Sequence, residues 1–136
     1  KETVVLLFHS FRSQEERREF GGSYFIELQH CRLAQSVALE TIVSVDAIRC
    51  WANDSLYLYG DDDTLFVSQY GDLLIDGVYH NGRSGPVDLC GINYYSQRHS
   101  NLIAKRIQER KPLDYQVLLN WLENGTDYNG FYILGL

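Results

Sequence analysis

The sequence is short of the features that usually name a function. Its three cysteines, Cys31, Cys50 and Cys90, form an odd set with no C-x-x-C pair, so neither a full disulfide framework nor a zinc ribbon fits. No apolar run approaches the ~18 residues of a membrane span. The longest, Val4 to Phe8, has five residues. It is also shorter than the roughly 7–15 apolar residues of a signal peptide, and no small-residue cleavage pattern follows it. Glycine is present but builds no phosphate loop: Gly21-Gly22 is not followed by Lys-Ser/Thr, and no G-x-G-x-x-G lies between a strand and a helix. Internal repeats, linkers and low-complexity segments are lacking as well.

These absences lead to a soluble protein in a reducing cytoplasm. Two N-x-S/T sequons, at Asn53 and Asn124, and the absence of an initiator methionine fit a matured secreted chain instead. What is present is ordinary globular composition, 45% hydrophobic and 22% charged, with 18 aromatic side chains to pack. At 136 residues one core can bury enough surface without a metal or a disulfide, so residues 1–136 are expected to form one domain.

The expected fold class is α+β, a mainly antiparallel sheet in meander order with two C-terminal helices packed on it and a short N-terminal helix. Thr3 to Phe11 reads as an opening strand placed centrally in the sheet, because its apolar residues lack helical spacing. Ser13 and Glu16 match a capping box for the short helix, which ends at Gly21-Gly22. From Ser23 the chain reads as extended, whereas Val37 to Val45 fits strand or helix. Ser55 to Tyr59 and Thr64 to Tyr70 read as a hairpin around Gly60-Asp61-Asp62-Asp63. Asn81-Gly82 marks a second turn, before the apolar segment Val87 to Tyr95. Ser96 or Ser100 can cap an amphipathic helix carrying Leu102, Ile103 and Ile107. Pro112 suits the first turn of a second helix bearing Leu113, Val117, Leu118, Trp121 and Leu122, with Gly125 as its C-terminal cap. Phe131 to Leu134 returns to strand composition.

Each chemical motif has a structural explanation beside it. Tyr59-Gly60-Asp61-Asp62-Asp63 resembles the acidic metal-binding hairpin of polymerase palm domains over about five residues. Two-metal catalysis needs further carboxylates on neighbouring strands and room for primer and nucleotide, so the string reads as a solvated acidic turn without a metal. His80 and His99 are the acid–base candidates for an alternative reading as a small hydrolase or nuclease. His9 lies in the opening strand. His30 and Cys31 are adjacent strand residues that point to opposite faces, which argues against a thiol–imidazole pair. Arg98, Lys105, Arg106, Arg110 and Lys111 are the sole basic cluster, and a solvated helix face accounts for them. Direct nucleic-acid binding is not expected of an acidic chain. No catalytic residue and no cofactor are assigned.

The regional signal is charge. Asp46 to Asp88 holds eight acidic residues against Arg49 and Arg83, a charge of −6, while the remainder carries ten of each sign. The same segment carries Trp51, Tyr57, Tyr59, Phe66, Tyr70 and Tyr79. Acidic side chains mixed with Tyr and Trp suit a surface that binds a basic protein, with the aromatics as anchors and the charge as the guide for encounter. The expected binding residues are Asp54, Tyr57, Tyr59, Asp61, Asp62, Asp63, Tyr70 and Asp72. The expected function is that of a bacterial immunity-type inhibitor that blocks a basic, toxin-like partner, for instance a nuclease, by steric and electrostatic occlusion.

Overall fold

The computed structural model describes residues 7–11, 13–19, 25–48 and 53–135. Six strands, β1 (Phe25–His30), β2 (Leu56–Tyr59), β3 (Gly77–Tyr79), β4 (Ser84–Gly85), β5 (Ile92–Tyr95) and β6 (Phe131–Leu134), form one sheet in the order β2-β1-β6-β5-β3-β4. Every pairing is antiparallel. Five α-helices accompany it among the described residues: α1 (Gln14–Glu19), α2 (Leu39–Ile42), α3 (Asp63–Tyr70), α4 (Gln97–Arg110) and α5 (Tyr115–Asn124). The class is α+β, with two C-terminal helices on an antiparallel sheet.

The sheet has apolar side chains on both faces, because successive residues of a strand point opposite ways. Ile26, Leu28, Leu56, Leu58, Tyr95, Phe131 and Ile133 join Phe66 and Tyr70 of α3, Ile103 and Ile107 of α4, and Leu118, Trp121 and Leu122 of α5 in the main core. The alternate residues Ile92, Tyr94, Tyr132 and Leu134 pack with Cys31 and with Ile42 and Val43 at α2. Burial on both sides explains why β6, the last strand in sequence, lies inside the sheet. Its four residues are all buried, and only a position between β1 and β5 pairs both of its edges.

That position corrects the meander order: neighbours in the chain are not neighbours throughout the sheet. The described part of the opening segment, residues 7–11, is not central either. His9 bridges Tyr57 on the outer side of β2, and residues 3–6 lie outside the described residues. The hairpin is corrected too, since Thr64 to Tyr70 belongs to α3. Phe66 and Tyr70, four apart, enter the core together, while Thr64, Val67 and Ser68 remain exposed. Core burial on a helical period outweighs the strand composition of this run. Val37 to Val45 contains the short α2 and no strand, and only Ile92–Tyr95 of the segment from Val87 pairs.

Local signals account for other boundaries. Ser13 Oγ accepts from the Glu16 N–H at 3.1 Å ahead of the α1 body, and Ser96 Oγ accepts from the His99 N–H at 3.3 Å at the start of α4. Gly82 takes φ +85° in the turn joining β3 to β4, a conformation that favours glycine. Gly21-Gly22 lies outside the described residues. Pro112 stands three residues ahead of α5, its carbonyl accepting from the Tyr115 N–H, so it precedes the helix instead of opening it.

Candidate functional site

The helix α3 is fixed from three directions. Phe66 and Tyr70 pack edge-on to Phe8, with centroids 6.1 and 5.5 Å away. The Tyr70 hydroxyl donates to the Leu113 carbonyl at 2.6 Å, and the Leu113 N–H donates to Gln69 Oε1 at 2.9 Å. Beyond its C-terminus, Arg106 of α4 donates to the Leu73 carbonyl at 3.1 Å and to both oxygens of Asp76 at 3.3 Å.

The segment 87–91 lies beside α3 and is pinned by Asn93, which is fully buried. Its amide donates to the Asp88 carbonyl at 2.7 Å and to the Ile133 carbonyl at 2.9 Å, while its oxygen accepts from the Asp88 N–H at 2.7 Å. The Val87 N–H donates to the Leu74 carbonyl at 2.9 Å, and the Gly135 N–H to that of Gly91 at 2.9 Å. Between these two fixed walls runs a groove of about 500 Å³, lined by Asp63, Thr64, Val67, Ser68, Val87, Asp88 and Leu89. Val67 is 46% exposed there, and among the described residues no cationic side chain lines it.

The residues expected to bind a partner divide into two groups. Asp61, Asp62 and Asp63 stand at the entry to α3 and Asp72 just after it, all partly or fully exposed. The aromatics do not join them. Tyr57 and Tyr70 have no exposed surface; Tyr57 packs among Phe11 and Phe25, and Tyr70 belongs to the main core. Neither can touch a partner without opening the fold, which corrects their assignment as surface anchors. Tyr59 is half-buried, stacked on Phe25 at 5.4 Å.

Asp54 belongs to another constellation. Its carboxylate pairs with Arg32 and accepts from the Tyr128 hydroxyl at 3.4 Å, and its carbonyl accepts from Trp121 Nε1 at 2.6 Å. These contacts frame His30, whose ring stacks on Trp121 at 3.8 Å and on Tyr128 at 4.7 Å, nearly parallel to both. Gly125 closes the stack, because a Cβ there would come within 2.5 Å of His30 Cε1. Burial lowers the His30 pKa to about 4, with Arg32 acting in the same direction and the Asp54 carboxylate opposing.

The histidines of the enzymatic alternative have separate surroundings. His80 Nδ1 lies 2.9 Å from the Val43 carbonyl, whereas His99 Nδ1 lies 3.0 Å from Ser96 Oγ and its Nε2 3.7 Å from Asp76. No hydrogen bond or ring contact joins the two among the described residues. His30, the last residue of β1, faces Trp121, and Cys31, just beyond the strand, faces Tyr132. Among the described residues no group of three His, Cys, Asp or Glu is placed to hold a metal ion, and no helix is long and apolar enough to cross a membrane. Val67, Val87, Asp88 and Leu89 were not legible as one site: reading Thr64 to Tyr70 as a strand hides that Val67 faces away from the Phe66–Tyr70 pair. Comparison of the chain with family models, curated proteins and solved structures finds no match in any of the three.

Proposed function

We propose that this chain is an acidic protein-binding module that occludes a basic partner, in the manner of an immunity-type inhibitor set against a cationic, toxin-like protein such as a nuclease. One observation carries the reading. Asp54 and Asp76 are each paired, at partly exposed positions, with Arg32 and Arg106, whereas Asp61, Asp62, Asp63 and Asp72 bracket an exposed helix face without a cationic partner among the described residues. Acidic residues in the first turn also favour a helix, which explains Asp63 but not Asp72 beyond the other end. A one-signed surface on a firmly held element speeds encounter with the opposite charge and rejects like-charged proteins. A nuclease is an apt target, because a site that attracts phosphate also attracts carboxylates.

The test begins with isolation of the partner by affinity capture. Replacing Asp61, Asp62 and Asp72 together by Asn should slow association and flatten its salt dependence, leaving dissociation nearly unchanged. An acidic partner, or association kinetics indifferent to both salt and the triple substitution, defeats the proposal.

A further inference from the structure

We propose that the groove between α3 and the 87–89 segment is the seat of the partner, and that its occupant is an extended cationic peptide segment. This rests on the basic-partner reading above and names the chemistry of contact. Arginine or lysine stems lie along Val67, Val87 and Leu89, and their charged ends reach Asp63 and Asp88.

The lining suits such a side chain better than any other. Lysine and arginine bury an aliphatic stem and keep the cationic end at a polar site, and the groove offers both surfaces side by side. Asp63 Oδ1 accepts from the N–H and hydroxyl of Thr64, and Asp88 Oδ1 accepts from the Cys90 N–H. These bonds fix each carboxylate and leave its second oxygen without a bond among the described residues. A guanidinium meets a carboxylate in a charge-assisted bond, stronger than a neutral one. A wholly apolar occupant would desolvate both carboxylates without compensation. A second copy of this chain would bring another −6 toward them. The groove is open along Val67, so a peptide can lie across it, and its two walls are held by separate anchors, so little ordering opposes binding.

The test uses capped hexapeptides titrated into the isotopically labelled chain, with backbone amide shifts as the readout. Alternating arginine and leucine is the probe; citrulline for arginine removes charge at constant shape, and glycine for leucine removes the apolar part. Saturable shifts at Val67, Ser68, Val87 and Leu89 are expected with the probe, weakened at least about tenfold by citrulline and also weakened by glycine. Asp63→Asn with Asp88→Asn should abolish them. Val67→Lys, at an exposed position that leaves the core alone, should do the same. Glycine peptide binding as tightly as leucine peptide, or shifts confined to Asp61, Asp62 and Asp72, overturns the groove and leaves the basic-partner reading standing. Absence of binding by either arginine peptide overturns the groove as well, and an acidic captured partner is what defeats the broader reading.

Discussion

Acidification should weaken this fold through His30, in a pH window set by the stack that holds it. The imidazole is 5% exposed between Trp121 and Tyr128, and its pKa falls from the ordinary 6.5 to about 4. The folded state therefore binds this proton less readily than the unfolded chain, so the contribution of neutral His30 is complete above pH 6.5 and is lost as pH falls toward 4. At 1.36 kcal/mol per unit, the loss is about 2 kcal/mol at pH 5 and about 3 kcal/mol below pH 4. Urea denaturation followed by circular dichroism at pH 7.5 and 5.0 measures it. Carboxylates contribute to the same slope, so the informative quantity is the difference between the native chain and His30→Gln, which has no proton to gain. The variant should start less stable and lose about 2 kcal/mol less over this interval. An identical loss in both chains, or a His30 imidazole resonance titrating near pH 6.5, refutes the argument.

Two further substitutions probe the supports of the site. Leu118→Ala should cost ~2–5 kcal/mol, because Leu118 is buried where α5 meets the sheet; an unchanged urea midpoint would remove α5 from the core. Asn93→Ala should cost roughly 2–4 kcal/mol by leaving the Asp88 N–H without its partner and taking one donor each from the Asp88 and Ile133 carbonyls. Amide exchange should also quicken from Val87 to Gly91, and protection equal to that of the native chain would show that other bonds hold this wall.

The legible parts of the fold were those where one local rule operates undisturbed. Ser13, and Ser96 of the pair Ser96 or Ser100, marked helix starts because a short hydroxyl side chain can satisfy an otherwise unpaired N–H. Leu118, Trp121 and Leu122 kept helical spacing because one face of α5 packs on the sheet and the other meets solvent. Residues 64–70 misled because Thr, Phe, Val and Tyr are common strand residues, yet Phe66 and Tyr70 meet Phe8 only on a helix. Strand order was hidden for another reason. Four buried residues in β6 announce a strand covered on both faces, but nothing local states that its neighbours are β1 and β5. The acidic residues were visible individually, while their division into arginine-paired and remaining groups depended on Arg32 and Arg106, which are distant in sequence.

That division bears on how binding would proceed. An eight-residue helix is ~12 Å long, so its acidic ends share much of a screening length of about 8–10 Å at ordinary ionic strength. An approaching cation therefore meets Asp61, Asp62, Asp63 and Asp72 as one field more than as four separate charges. Asp63 also lines the groove, where a bound cationic side chain would sit against Val67, Val87 and Leu89. Salt must weaken the first interaction more than the second, because contacts between exposed charges are screened and desolvated ones are screened much less. It follows that association should fall steeply with added salt while dissociation changes little. Substituting Asp61, Asp62 or Asp72 should alter arrival, whereas Asp88 and Val67 should govern residence. Tyr57 and Tyr70 then act only by holding the sheet and α3 in place, and any effect of replacing them on binding should accompany a comparable loss of stability.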